Sequence, residues 1–254
     1  VKCISRLGVG LDSIDLVAAN KYKLPVIFQP TYAYNEVANH AAAMALALHR
    51  GIYQATTTTQ DGKWIPATQI AEITSIQDST LGVIGCGRIG QTFIKKMQPF
   101  VKDIIGFDPA VTEAIPGVTM TKNLDELLTK CKIISMHAPY MPSTHHMIGK
   151  RELALMQKGS ILVNVSRGGL IDETALIEAL ESGHLDGAGL DVFEKEPLAE
   201  HAPIRKTKNL LLSPHIAWYS KSSGPRLVEW GLVDAVNFVT KQSISNGKFA
   251  AGPF

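Results

Sequence analysis

LGVIGCGRIGQ, residues 81–91, runs a short apolar stretch into three glycines spaced Gly85-x-Gly87-x-x-Gly90. Alone, that spacing is a weak signal, because glycines also mark ordinary tight turns. A stronger reading makes specific physical demands. The first glycine lets the chain leave a strand sharply, the second lets a phosphate approach the backbone, and the third lets the next helix pack on the strand. The helix N-terminus then offers unpaired N–H groups and a partial positive charge to an anion. Residues 81–84 supply the strand, and residues 88–100 carry Ile89, Phe93 and Met97 at helical spacing. Asp108 closes the following run, IIGFD, roughly 20 residues past the first glycine. A carboxylate there accepts hydrogen bonds from both ribose hydroxyls of an adenosine, and its charge repels a 2′-phosphate. The stretch therefore predicts a dinucleotide site for NAD rather than NADP.

Working outward, further strand-like runs lie at 103–107, 132–136, 160–165, 187–192 and 209–212. Such bounded apolar runs suit strands covered on both faces. Helical patterns alternate with them. Asn123 reads as an N-cap with Glu126 reciprocating, and Asp172 caps residues 173–182, which end at Gly183. The alternation predicts an α/β fold with a doubly wound parallel sheet. The flanks differ. Residues 1–29 read as a strand, a glycine loop and a short helix, and residues 35–51 form a long Ala-rich helical pattern. TTTTQDGKW (56–64) reads as an extended loop or arm. Gly224-Pro225 makes a poor helix interior ahead of an amphipathic stretch at 227–239.

Composition narrows the function classes. A formal net charge of +2 is too small to argue for nucleic-acid or membrane partners. Three scattered cysteines show neither metal nor disulfide spacing and suit a reducing compartment. No apolar run approaches the roughly 18 residues of a membrane span. The expectation is a soluble cytoplasmic protein that binds no metal.

Ligands of open α/β sheets bind at the carboxyl ends of the strands. His137-Ala138-Pro139, Ser166-Arg167, Asp191 and His215 each follow a strand-like run, and Glu196 lies just past Asp191. Hydride transfer to a 2-keto acid needs a cation for the carboxylate and carbonyl, a general acid, and a carboxylate to orient that acid. Arg167, His215 and Glu196 can take those parts. Each also has an ordinary structural reading: a surface charge, a satisfied core histidine, a solvated carboxylate. Their joint position beside the glycine motif outweighs those readings.

At this point the chain resembles the D-isomer-specific 2-hydroxyacid dehydrogenase family. The segments GVGLDSID, EVANHAAAMALALHRG, LGVIGCGRIGQ, FDP, HAP, NVSRGGLIDETAL, GAGLDVFEKEP and SPHIAWYS match in family order, from residue 4 to about 220. The resemblance implies a Rossmann-type domain over residues 30–218, with 1–29 and 219–254 as parts of a discontinuous, incomplete flavodoxin-like substrate domain. It also implies a strand-and-helix segment ahead of Val1. Arg167, Glu196 and His215 match the catalytic residues. Gly85, Gly87, Arg88, Ile89 and Gly90 match the pyrophosphate loop, and Asp108 with Pro109 the adenosine contact. His137, Ala138, Pro139, Thr144, Val165 and Ser166 match segments along the cofactor, and Asp191 the nicotinamide amide contact. Val9 and Gly10 look like the substrate carboxylate cradle.

Arg6 and the WYS after His215 are similar to the branch of glyoxylate and hydroxypyruvate reductases and C-terminal-binding proteins, where Trp218 would wall the substrate pocket. An ordinary packing role for Trp218 stands beside that one. The helix at 35–51 and the following arm look like the family's homodimer elements. Asn39 departs from the acidic residue usual there. The implied activity is NAD-dependent interconversion of small 2-keto and D-2-hydroxy acids. A 3-phosphoglycerate dehydrogenase-like enzyme and an NAD-sensing corepressor-like protein are the alternatives.

Overall fold

In a computed structural model, the structure describes residues 1–70 and 73–252. The chain divides into two compact units, Val1–Glu36 with Trp218–Phe254, and Val37–Ala217. Its first elements are β1 (Ile4–Arg6), α1 (Leu16–Lys21), β2 (Val26–Phe28), α2 (Tyr34–His49) and α3 (Ile52–Gln60). Next come β3 (Thr80–Ile84), α4 (Arg88–Met97), β4 (Asp103–Phe107), β5 (Thr119–Thr121) and α5 (Leu124–Lys130). Then follow β6 (Ile133–Met136), α6 (Lys150–Leu155), β7 (Ser160–Asn164), α7 (Glu173–Glu181) and β8 (Leu185–Leu190). The last are β9 (Leu210–Leu212), α8 (Ser223–Lys241) and β10 (Lys248–Ala251).

The Val37–Ala217 unit is a seven-stranded, all-parallel sheet in the order β5-β4-β3-β6-β7-β8-β9. The chain steps from β3 outward to β4 and β5, then returns to β6 and continues the other way. The direction therefore reverses between β3 and β6, where an open α/β sheet leaves a crevice at its carboxyl edge. Alternate residues feed two cores: Ile84, Ile134 and Leu162 pack with α5, α6 and α7, while Leu81, Val83, Ile133, Ile161 and Val163 pack with α2 and α4. That two-sided burial explains the near-continuous apolar strands.

The other unit is a three-stranded sheet, β1-β2-β10, with β1 parallel and β10 antiparallel to β2. Asp15 caps α1 through the Ala18 N–H at 2.8 Å. The Asp234 carboxylate of α8, wholly buried, accepts the Ser245, Asn246 and Gly247 N–H groups and the Gln29 amide, tying helix to strand turn.

All six anticipated strands form within two residues of their expected bounds, and the doubly wound α/β class is observed. Three local expectations are corrected. Residues 56–60 are not extended but complete α3, where the Thr57 hydroxyl donates to the Tyr53 carbonyl and so satisfies a helical acceptor. Gly224-Pro225 does not interrupt a helix; both lie in the first turn of α8, where the N–H that proline lacks has no intrahelical acceptor anyway. Asn123 caps α5 through the Asp125 N–H, but Glu126 does not reciprocate, because its carboxylate takes the Thr121 hydroxyl and the Lys130 ammonium.

Candidate active site

Gly85 follows β3, Asp108 follows β4 and His137 follows β6, so the glycine turn opens at the sheet's direction reversal. Gly85 has φ +91, and a Cβ there would lie 2.4 Å from the Ala138 nitrogen. A Cβ on Gly90 would lie 2.0 Å from the Gly85 carbonyl oxygen, so α4 abuts the turn only because its third residue is glycine. Gly87 differs: it is exposed, nothing lies within 4 Å of its missing Cβ, and as N-cap of α4 it brings no side-chain cap. Gly87 therefore offers the first turn of α4 no side-chain acceptor of its own, beside an open surface. A helix N-terminus of this kind is where a pyrophosphate would be held.

Asp108 faces this turn. Its Oδ2 accepts the Cys86 N–H at 2.8 Å and its Oδ1 the Ala110 N–H at 2.9 Å. Cys86 is buried, and burial first, with the Asp108 charge second, pushes its thiol up to about 12; it is a packing group rather than a nucleophile. The His137 ring packs at a 42° tilt against Phe93 with centroids 4.9 Å apart, and its Nε2 lies 2.9 Å from the Ser135 hydroxyl. Burial holds its pKa down at about 3, so the ring is neutral. Thr144 closes the 139–144 turn by donating to the Pro139 carbonyl and accepting the Met141 N–H.

Arg167, Asp191 and His215 follow β7, β8 and β9, which are neighbours in a parallel sheet and so end at one edge. Glu196 accepts from both sides: Oε1 takes the Phe193 N–H at 2.9 Å, and Oε2 lies 2.7 Å from His215 Nδ1. A carboxylate in that place favours the tautomer with its proton on Nδ1. Glu196 and His215 also line an open recess of about 550 Å³ with Phe193, Pro197, Leu198 and Leu212.

The Arg167 loop meets the Glu196 loop through Gly168, where a Cβ would lie 1.8 Å from the Phe193 carbonyl carbon. Arg167 donates through Nη1 to the Ser166 carbonyl. The buried Asn164 holds that turn, donating to the Arg167 carbonyl and accepting the Ser166 N–H. Sequence reasoning missed Asn164; a carboxamide interrupting the apolar run ILVNV was the available signal.

Asp191 is buried, and its carboxylate faces the loop of His215. Oδ1 accepts the Ser213 hydroxyl and the Ile216 N–H, and Oδ2 the Ala217 N–H. Its carbonyl accepts the His215 N–H while His215 adopts a left-handed φ of +54. Ser213 has one hydrogen, donated to Asp191, so it accepts from His40 Nε2 at 2.8 Å. His40 and Ser213 were not anticipated either.

In the smaller unit, the Arg6 guanidinium curls over Gly8 and donates to the Leu7 and Gly10 carbonyls, which shapes the loop of Val9 and Gly10. Trp218 is half-buried in a cluster with Tyr32, Ala33, Leu227 and Trp230, its ring 6.1 Å from that of Tyr32. Val165 is buried in the core beside β7, while Pro109 and Pro139 are exposed.

Residues 42–217 match the family model described as D-isomer specific 2-hydroxyacid dehydrogenase, NAD binding domain. The chain is 40% identical over 218 residues to the D-3-phosphoglycerate dehydrogenase of Methanocaldococcus jannaschii, covering 85% of this chain and 41% of that protein. It thus spans about two fifths of the length of the curated relatives it matches first. Among solved structures, the D-lactate dehydrogenase of Aquifex aeolicus complexed with NAD and lactic acid superimposes with a TM-score of 0.89 and 31% identity, over 100% of this chain and 81% of that one. The glyoxylate reductase from Paecilomyes thermophila gives 0.87 and 30%, over 97% and 75%. The chain belongs to the D-isomer specific 2-hydroxyacid dehydrogenase family and carries its NAD binding domain.

Proposed function

We propose that this chain is the NAD(H)-dependent part of an oxidoreductase that interconverts small 2-keto acids and D-2-hydroxy acids. The observation that carries the reading is the 2.7 Å His215–Glu196 pair on the sheet edge that also bears the glycine turn and Asp108. When bound, NADH supplies the hydride that reduces the substrate carbonyl. Arg167 takes the substrate carboxylate with its planar fork and draws charge from the carbonyl oxygen. His215 donates the proton to the forming alkoxide from Nε2, and Glu196 stabilises the imidazolium that donates it.

Gly85, Gly87, Arg88, Ile89 and Gly90 hold the pyrophosphate through backbone N–H groups, and Asp108 with Pro109 the adenosine ribose. The Asp108 charge selects against a 2′-phosphate. His137, Ala138, Pro139, Thr144, Val165 and Ser166 border the cofactor. Asp191 serves the nicotinamide amide by sharing an oxygen that already holds the 213–217 loop. Residues 30–218 form the cofactor domain; substrate selection falls to 1–29 with 219–254, where Arg6, Val9 and Gly10 lie, together with Trp218 at the end of the cofactor domain. The exposure of Ile52, Tyr53 and Trp64 supports homodimerisation through the helix at 35–51 and the arm after it. Three free cysteines suit the cytoplasm.

A second reading, a phosphorylated substrate, is favoured by the name of the M. jannaschii relative. The test is NADH oxidation with glyoxylate, hydroxypyruvate, pyruvate and 3-phosphohydroxypyruvate, for the wild type and Arg167→Ala. Turnover of the unphosphorylated acids is expected, with kcat/KM about 10²–10³ lower in the variant. Turnover of the phosphorylated acid alone favours the second reading, and an unimpaired variant removes Arg167 from the reaction.

A further inference from the structure

β4 and β5 are parallel, with Phe107 paired to Thr121, so the next residue of each, Asp108 and Lys122, leaves the sheet at the same edge. The Lys122 ammonium donates to three carbonyls of the loop after β4: Asp108 at 2.9 Å, Val111 at 3.0 Å and Pro109 at 3.2 Å. A lysine ammonium has three N–H donors, and here three acceptors meet them. Three carbonyl dipoles converging on one point repel one another unless a cation sits among them, so this loop conformation depends on Lys122. Asp108 is held at both ends, its carbonyl by Lys122 and its carboxylate by the Cys86 and Ala110 N–H groups.

We propose that Lys122 is a positioning residue for cofactor binding, a clasp that sets the backbone of residues 108–111 so that the Asp108 carboxylate meets the adenosine ribose. The proposal rests on the NAD-binding reading of the Val37–Ala217 unit. It assigns Lys122 no contact with the nucleotide: with its protons committed to carbonyls, the ammonium is not a ligand for a 2′-phosphate.

The test is Lys122→Met, which keeps most of the side-chain stem and removes the charge. Dissociation constants are measured by fluorescence or calorimetry for NADH, ADP-ribose, NADPH and reduced nicotinamide mononucleotide, which lacks the adenosine half. The clasp predicts that NADH and ADP-ribose bind about five- to tenfold more weakly. The loss persists at about 0.5 M salt, where longer-range attraction is screened. Reduced nicotinamide mononucleotide should bind as to the wild type, which also reports a folded site. Unchanged NADH affinity overturns the proposal, as does an equal loss for the mononucleotide. A loss confined to NADPH also overturns it, since that would make Lys122 a phosphate ligand. If the wild type binds neither NADH nor ADP-ribose, the dinucleotide reading itself fails and takes the clasp with it.

Discussion

His137 lies between the glycine turn and the core, with Nδ1 enclosed and lacking a hydrogen-bond partner among the described residues. A charged imidazole there would lose its hydration with one hydroxyl, Ser135, to compensate, which is why burial lowers its pKa to about 3. The sign of the linkage follows. The unfolded chain takes up a proton near pH 6.5 and the folded chain does not until about 3, so stability is full above pH 6.5 and falls as pH drops toward 3. One such group gives a slope of up to about 1.4 kcal/mol per pH unit. Urea unfolding between pH 7 and 4 should therefore show a steeper acid loss for the wild type than for His137→Gln; equal slopes would refute the neutral, buried ring. His49, lowered chiefly by burial, adds to the wild-type slope in both proteins. At this scale the sequence was informative where residue type dictates chemistry. Asp108 faces the glycine turn, and Glu196 lies 2.7 Å from His215 Nδ1. Asn164, Ser213 and Lys122 were not legible, because they act on backbone groups of loops whose paths no local pattern reveals.

Three loops at the ends of β7, β8 and β9 carry Arg167, Glu196 and His215, and their mutual approach is set by backbone contact. Gly168 is the point where two of them touch. Gly168→Ala would drive a methyl into the Phe193–Glu194 peptide, whose rigid backbone has no rotamer to yield. The expected cost is about 1–3 kcal/mol of stability, with turnover falling further than NADH affinity because the Arg167 and Glu196 loops must part. Paired thermal unfolding, turnover and NADH titration would check this; wild-type stability and rate would show that the loops are not so close. The strands themselves were legible because each is an apolar run buried on both faces. β5 was not, since Thr-Met-Thr at a sheet edge has no such run. The β-branched threonines of α3 argued against a helix that nevertheless forms, with the Thr57 hydroxyl turned back onto the Tyr53 carbonyl.

The larger unit contains in itself both the glycine turn with Asp108 and the Arg167, Glu196 and His215 loops, along a single carboxyl edge of seven parallel strands. The smaller unit is a modest sheet whose α8 exposes Val228, Leu232 and Val236. The proposed reaction therefore answers to a measurement on the larger unit's residues within the whole chain. That measurement is NADH titration followed by 2-keto acid turnover on His215→Gln beside the wild type. A proton donor that does not hold the cofactor predicts NADH affinity within about twofold and turnover lower by about 10²–10⁴. Turnover at the wild-type rate, or a loss of NADH binding as large as the loss of rate, would contradict the account.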